Sequence, residues 1–299
     1  MLVKELGNNY KWLVIHAEAQ NDFERLRENY AINNEILEYS LDRHEKAHVE
    51  YDQTEEVFYL IYNAPLKMEK ADYYQTVPFT LIIKDDYLIT IHNQKTAYII
   101  EILEKCRVSN PNLSLYQFLF KSIFLITEEF FPAVELMEDR REEINQKLKA
   151  KTTKKSLLEL SDLETSITYM VSASKQNSIV LEQTKLQSIY RSFKEYEKEQ
   201  LEDAIIEARQ LVEMTHLSSQ ILQQLSGTYN NVLNNNLNDT MKILTVLSVL
   251  LTLPTMVAGF FGMNMPLPLE HNAYGWIISI IISLVLWLVL SLILRKILR

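Results

Sequence analysis

The 299-residue sequence predicts an α+β domain, then a long helical stalk, then two C-terminal transmembrane helices. Three observations carry this prediction. Short β-branched and aromatic runs alternate with helix-like segments over roughly the first hundred residues. From Asn112 to Phe261 the only Pro and Gly residues are Pro132, Gly227, Pro254 and Gly259. No charged residue stands between Lys242 and Glu270, and none from Ala273 to Leu294. Each of these runs has about the 20 residues a helix needs to cross a bilayer. The expected division is 1–111 for the α+β domain, 112–240 for the stalk, 241–264 for the first membrane helix, 265–273 for an outer loop and 274–299 for the second helix with a basic tail.

Taken in order, Trp12–Ile15, Val57–Tyr62, Phe79–Ile83 and Tyr87–Ile91 read as strands, with Lys84-Asp85-Asp86 as a hairpin turn. Asn21 or Asp22 can cap a helix to about Tyr30, and Asn33 or Asn34 another to about Leu41. Ser114 can cap a helix to about Lys149, with Pro132 as a kink. A turn at 151–155 leads to a helix from about Ser156 to Lys185. The stretch from about Phe193 to Phe261 reads as one nearly continuous helix; a break near Gly227 is the alternative. A helix that long cannot bury a face within its own small domain, so it calls for neighbours, most simply copies of itself.

The formal net charge is −9, which argues against a nucleic-acid partner and suits a body that meets cations. Cys106 is the only cysteine, so no intramolecular disulfide forms. There is no Gly-rich phosphate loop, and no organic cofactor is expected. Met1–Glu5 lacks a basic segment leading into an apolar one, so no cleaved signal peptide is expected. Lys242 flanks the first membrane helix, and Arg295, Lys296 and Arg299 follow the second, whereas the loop between carries only Glu270. Basic residues stay on the cytoplasmic side, which puts both termini in the cytoplasm and the loop outside a cell membrane crossed twice.

In the first membrane helix, Thr245, Ser248, Thr252, Thr255 and Gly259 recur at spacings of 3 and 4, which stacks them on one face. Two readings stand: hydroxyls bonded back to their own helix or aiding helix packing, or the lining of a water-filled path made by several copies. No Asp, Glu or His lies in either apolar run, whereas proton-coupled carriers usually keep such a group there. Neutral oxygens suit a cation that keeps its water, and Mg²⁺ sheds its shell reluctantly.

The run closes on Phe261-Gly262-Met263-Asn264. With Asn-Asp-Thr-Met-Lys-Ile-Leu-Thr at 238–245 and Ala-Gly-Phe-Phe-Gly-Met-Asn at 258–264, two terminal helices and a long stalk, the chain resembles the CorA family of magnesium channels. The resemblance implies a homopentamer in membrane lipid that takes up Mg²⁺, with Co²⁺ and Ni²⁺ as further candidate ions, and that is no enzyme. It implies that Gly262, Met263 and Asn264 form the selectivity filter, that Ser248, Thr252, Thr255, Gly259 and Asn238 line the pore, and that Met241 and Leu244 form the gate. The outer loop, Met-Pro-Leu-Pro-Leu-Glu-His-Asn at 265–272, is less acidic than many loops of the family. A sibling branch moving Zn²⁺ and a membrane-anchored helical scaffold without a pore are the alternatives.

The family closes when intracellular divalent ions bind between subunits, which implies a regulatory metal site at Asp203 and Glu207, with Glu202 beside it and Glu69 or Asp72 as partner. Carboxylates facing one another repel until a cation bridges them. His44-Glu45-Lys46-Ala47-His48 matches the zinc-protease pattern, but its polar flanks and the strand-like segment that follows argue against an enzyme.

Overall fold

The structure is a computed structural model and describes residues 1–7, 9–42, 45–66, 75–263 and 274–297. The chain divides into two compact units, Met1–Ser226 and Gly227–Arg299.

The first unit is built on a six-stranded mixed sheet: β1 (Leu2–Glu5), β2 (Lys11–His16), β3 (His48–Asp52), β4 (Val57–Pro65), β5 (Thr76–Lys84) and β6 (Tyr87–His92), in the order β1-β2-β6-β5-β4-β3. Only β2 and β6 pair in parallel, with Trp12 opposite Leu88 and His16 opposite His92. The β5–β6 hairpin closes at Asp85 and Asp86, and Asp85 takes a left-handed φ of 50°. Every residue of β4 is buried, because both faces of the sheet are covered.

One face of the sheet, with Leu13, Ile15, Tyr59, Ile82 and Ile89, packs on α1 (Gln20–Tyr30) and α2 (Asn34–Leu41) through Phe23, Leu26 and Leu37. The other face, with Trp12, Phe58, Leu60 and Phe79, meets helices from the rest of the unit. These are α3 (Ala97–Ser109), α4 (Leu115–Glu128), α5 (Phe130–Ala150), α6 (Lys154–Thr184) and α7 (Glu195–Phe261). Each fully buried large side chain here contributes about 1.5–3 kcal/mol. Asn33 caps α2 by accepting from the Glu35 amide, as its position predicts. In contrast, α1 starts one residue ahead of Asn21, at an Ala19 cap without side-chain bonding, and Asp22 sits in its first turn. Asp22 instead binds the amino terminus.

Ser114 caps α4 in a reciprocal pair with Gln117. The expected single helix to Lys149 is two helices, α4 and α5, parted at Glu129. Pro132 has no N–H for the carbonyl of Glu128, and its ring crowds that carbonyl, so the first helix ends there. β1 and α3 were not legible in the sequence. α7 runs unbroken through Gly227, which disposes of the alternative of two helices. α8 (Gly275–Ile297) is the last element. α7, in its C-terminal part, and α8 are long and apolar enough to cross a membrane.

Candidate functional site

In the second unit the four hydroxyls of the α7 stripe all donate to the carbonyl one turn back. Thr245 reaches Met241 at 2.8 Å, Ser248 reaches Leu244 at 2.8 Å, Thr252 reaches Ser248 at 2.8 Å and Thr255 reaches Leu251 at 2.9 Å. Each hydroxyl proton is thus occupied inside the helix, and the lone pairs remain. The exposed stripe therefore presents acceptors. Back-bonding is the part of the two readings that is observed, and because it leaves the lone pairs free it does not oppose the other.

Pro254 lies within α7 and withholds a donor from the Leu250 carbonyl. A side chain added at Gly259 would meet no atom within 4 Å. At Gly262 an added Cβ would stand 3.1 Å from the Ala258 carbonyl oxygen, which itself accepts from the Gly262 amide at 3.0 Å. Glycine is the residue that lets the helix end tighten there. Met263 follows with an exposed side chain. Asn264, Glu270 and the rest of the outer loop lie outside the described residues.

Met241 and Leu244, expected from the sequence to form a gate, are both exposed in the single chain. Where α7 and the C-terminal end of α8 adjoin, Asn235, Asn238, Met241, Lys242 and Thr245 of α7 and Leu294 of α8 line an open cleft of about 650 Å³. Lys242 pairs with Asp239 at 3.1 Å, so the basic flank of the membrane helix is partly neutralised by its own neighbour.

In the first unit the sensor candidates part company. Asp203 is exposed, and its only described partner is Gln200 at 3.5 Å. Glu207 is half-buried, and its carboxyl pKa is raised, first by burial and then by the charge of Glu128. Glu202 is engaged by Lys185. Glu69 and Asp72 lie outside the described residues. Among the described residues no group of three or more His, Cys, Asp or Glu side chains can hold a metal ion within one chain. Of the zinc-protease pattern, His44 lies outside the described residues, and His48 opens strand β3 with its ring against Tyr39 and Tyr59. Two zinc ligands one helical turn apart need a helix at this point, and His48 is on a strand.

Sequence reasoning missed two buried polar side chains that hold the helices in place. Glu197 accepts from the Ser114 hydroxyl at 2.5 Å and from the Lys194 amide at 2.8 Å, tying the start of α7 to the start of α4. A Glu three residues into a helix is a legible signal for this. Asn177 of α6 bonds both backbone groups of Asn63, each at 2.8 Å. β3 begins only at His48 opposite Ile61, so Asn63 lacks a strand partner on that side and the amide takes its place. No local pattern announces that contact.

A family model described as CorA-like Mg²⁺ transporter protein matches residues 7–296. The chain is 25% identical over 276 residues to a cobalt/magnesium transport protein, CorA, of Methanocaldococcus jannaschii, covering 90% of this chain and 85% of that one. The complete structure of the CorA magnesium transporter from the same organism superposes with a TM-score of 0.81 at 24% identity, over 99% of this chain and 93% of the other. The cytoplasmic domain of ZntB from Vibrio parahaemolyticus shares the fold more distantly, with a TM-score of 0.59 at 10% identity over 77% of this chain and 88% of that one.

Proposed function

The chain belongs to the CorA-like Mg²⁺ transporter family, and from that premise we propose that it is a passive Mg²⁺ channel assembled as a homopentamer. Both termini lie in the cytoplasm, α7 surrounds the axis and α8 faces lipid. One observation carries the reading: a charge-free membrane helix presents a stripe of hydroxyl acceptors that leads to Gly262-Met263-Asn264. One copy of such a stripe encloses nothing. Several copies around an axis surround a path in which water bound to the ion donates to the stripe.

Mg²⁺ passes with its shell, and Asn264 at the outer mouth accepts hydrogen bonds from that shell without replacing it. The membrane potential supplies about 4.6 kcal/mol per 100 mV for a divalent ion, twice the single-charge value. Met241 and Leu244 close the inner end as rings of apolar side chains that exclude a hydrated ion. Asp203, exposed on the stalk, is the stronger candidate for a regulatory site between subunits, because a bridging ion requires an accessible carboxylate. Glu207, half-buried near the charge of Glu128, is the less accessible of the two.

Uptake into proteoliposomes tests the reading. Wild-type protein is expected to admit Mg²⁺ without a proton gradient, and Asn264→Ala to lose that flux while remaining oligomeric and inserted. Wild-type flux through Asn264→Ala would leave the Gly-Met-Asn turn without a role in selection. Uptake of Zn²⁺ but not Mg²⁺, dependent on a proton gradient, would move the chain to the zinc branch.

A further inference from the structure

The part of α7 that precedes the membrane helix has an unusual composition. Between Glu213 and Asp239 the sequence contains no Asp, Glu, Lys or Arg, although 23% of the chain is charged. The segment is not apolar at its C-terminal end: Asn230, Asn231, Asn234, Asn235, Asn236 and Asn238 crowd one short stretch of α7. Asn is a poor helix former, because its amide competes for the backbone. All six are exposed, so core packing does not explain them either. An exposed helix face usually carries charge for solubility; this one carries neutral amides.

The placement of these amides is ordered. Counting from Thr245 toward the N-terminus in steps of 4, 3, 4 and 3 reaches Met241, Asn238, Asn234 and Asn231. The same alternation links Thr245 to Ser248, Thr252, Thr255 and Gly259 in the other direction. An alternation of 3 and 4 keeps one seam facing a common axis when helices of identical sequence wrap around each other. Asn236, two residues from Asn234, points away from that seam, and Asn235 lines the cleft toward α8.

We propose that Asn231 and Asn234 form two further rings of amide oxygens that, with Asn238, make a charge-free inner vestibule for a hydrated divalent cation. The proposal rests on the pore reading given above. The chemistry selects amides over the alternatives. A ring of carboxylates would hold a divalent ion too firmly for release, and a ring of Lys or Arg would repel it. An amide oxygen accepts a hydrogen bond from the ion's water shell, and the ion keeps its shell and moves on. The vestibule thus repeats, on the inner side of the Met241 ring, the neutral polar chemistry of the outer mouth.

The test uses full-length Asn231→Cys, Asn234→Cys and Asn236→Cys proteins in proteoliposomes, with Mg²⁺ flux read before and after Cd²⁺ and again after a chelator. A ring of thiolates holds a soft metal ion. Cd²⁺ is expected to remove most of the flux at positions 231 and 234, reversibly, and to leave Asn236→Cys and the wild type, whose Cys106 is buried, unaffected. Insensitivity of both seam variants, or equal block of Asn236→Cys, overturns the vestibule. A second pair, Asn231→Asp and Asn234→Asp, is expected to saturate at lower Mg²⁺ with a smaller maximal flux; saturation identical to wild type overturns it as well. Asn264→Ala separates the two levels of inference. If the wild type does not conduct, or Asn264→Ala conducts fully, the pore reading falls and takes the vestibule with it. If flux depends on Asn264 but ignores both seam series, the vestibule alone falls.

Discussion

In residues 1–226 the large apolar side chains Trp12, Phe58, Phe118 and Phe130 are fully covered, whereas in residues 227–299 Leu284, Leu286, Leu292 and Phe260 stand exposed. The two units contain similar residue types and treat them differently. The first closes its own core, using both faces of a sheet with α1 and α2 on one and the later helices on the other. The second has two helices that cannot cover one another's circumference. Its apolar surface is complete only in a solvent as apolar as itself, or against further copies. Polar groups invert in the same way. Buried Asn177 and Glu197 are fully engaged within the first unit. In the second, hydroxyls satisfy their protons locally and hold their acceptors outward.

This contrast can be broken or sharpened by substitution. The largest effect is expected from truncation in the closed core. Phe118→Ala should destabilise the first unit by about 3–5 kcal/mol, because the site cannot collapse around the cavity. Phe260→Ala, at an exposed position of the second unit, should leave the thermal midpoint of the first unit unchanged in detergent. Equal losses in both would contradict the division of the chain.

Next in size is Asn177→Ala. It orphans the buried N–H and C=O of Asn63, at about 1–3 kcal/mol per group. Chemical denaturation of the full-length protein should show a lower midpoint with an unchanged slope. By contrast Asn236→Ala, exposed in the second unit, should show none, or a slight gain from better helix propensity.

The smallest effects are electrostatic, and their signs differ. Glu207 is half-buried near Glu128, and its carboxyl pKa is raised above the ordinary value. The native state therefore holds that proton more tightly than the unfolded chain does. The stability linked to it is fully present below the unfolded pKa and is lost as pH rises through the folded one. Glu207→Gln should be slightly more stable than wild type at neutral pH, with the gap closing in acid. Glu104 is the opposite case: hydrogen bonding from Arg107, aided by Lys4, holds its carboxyl at about 2. Its contribution is present above the unfolded pKa and is lost as pH falls through that value, so Glu104→Gln should be slightly less stable at neutral pH and equal to wild type in strong acid. Melting curves across pH distinguish the two; parallel curves for both variants would contradict these assignments.

Much of this molecule was legible in the sequence, and the reason is periodicity. The four predicted strands, the Asn33 and Ser114 caps, the helix through Gly227 and the two apolar spans are all set by residues close in the chain. The hydroxyl stripe belongs to the same class: spacings of 3 and 4 put Thr245, Ser248, Thr252 and Thr255 on one face of any helix. Elements without such a signature were lost. β1 is a four-residue edge strand defined by pairing with β2. α3 presents Ile99, Leu103 and Cys106 to a core that exists only once the sheet has formed. The break at Glu129 follows from Pro132, which in the sequence reads as a kink in one helix rather than the parting of two.

The site divides along the same line. The sequence by itself determined which residues share a helix face, because helix geometry repeats regardless of surroundings. Only the tertiary structure decided what each face meets. Asp203 and Glu207 stand one turn apart on α7 and read as an equivalent pair. In the fold one carboxylate is left to solvent and the other is half-buried within reach of the charge of Glu128. That difference comes from burial and from the charge of Glu128, a residue of another helix, and no spacing along a single helix encodes it.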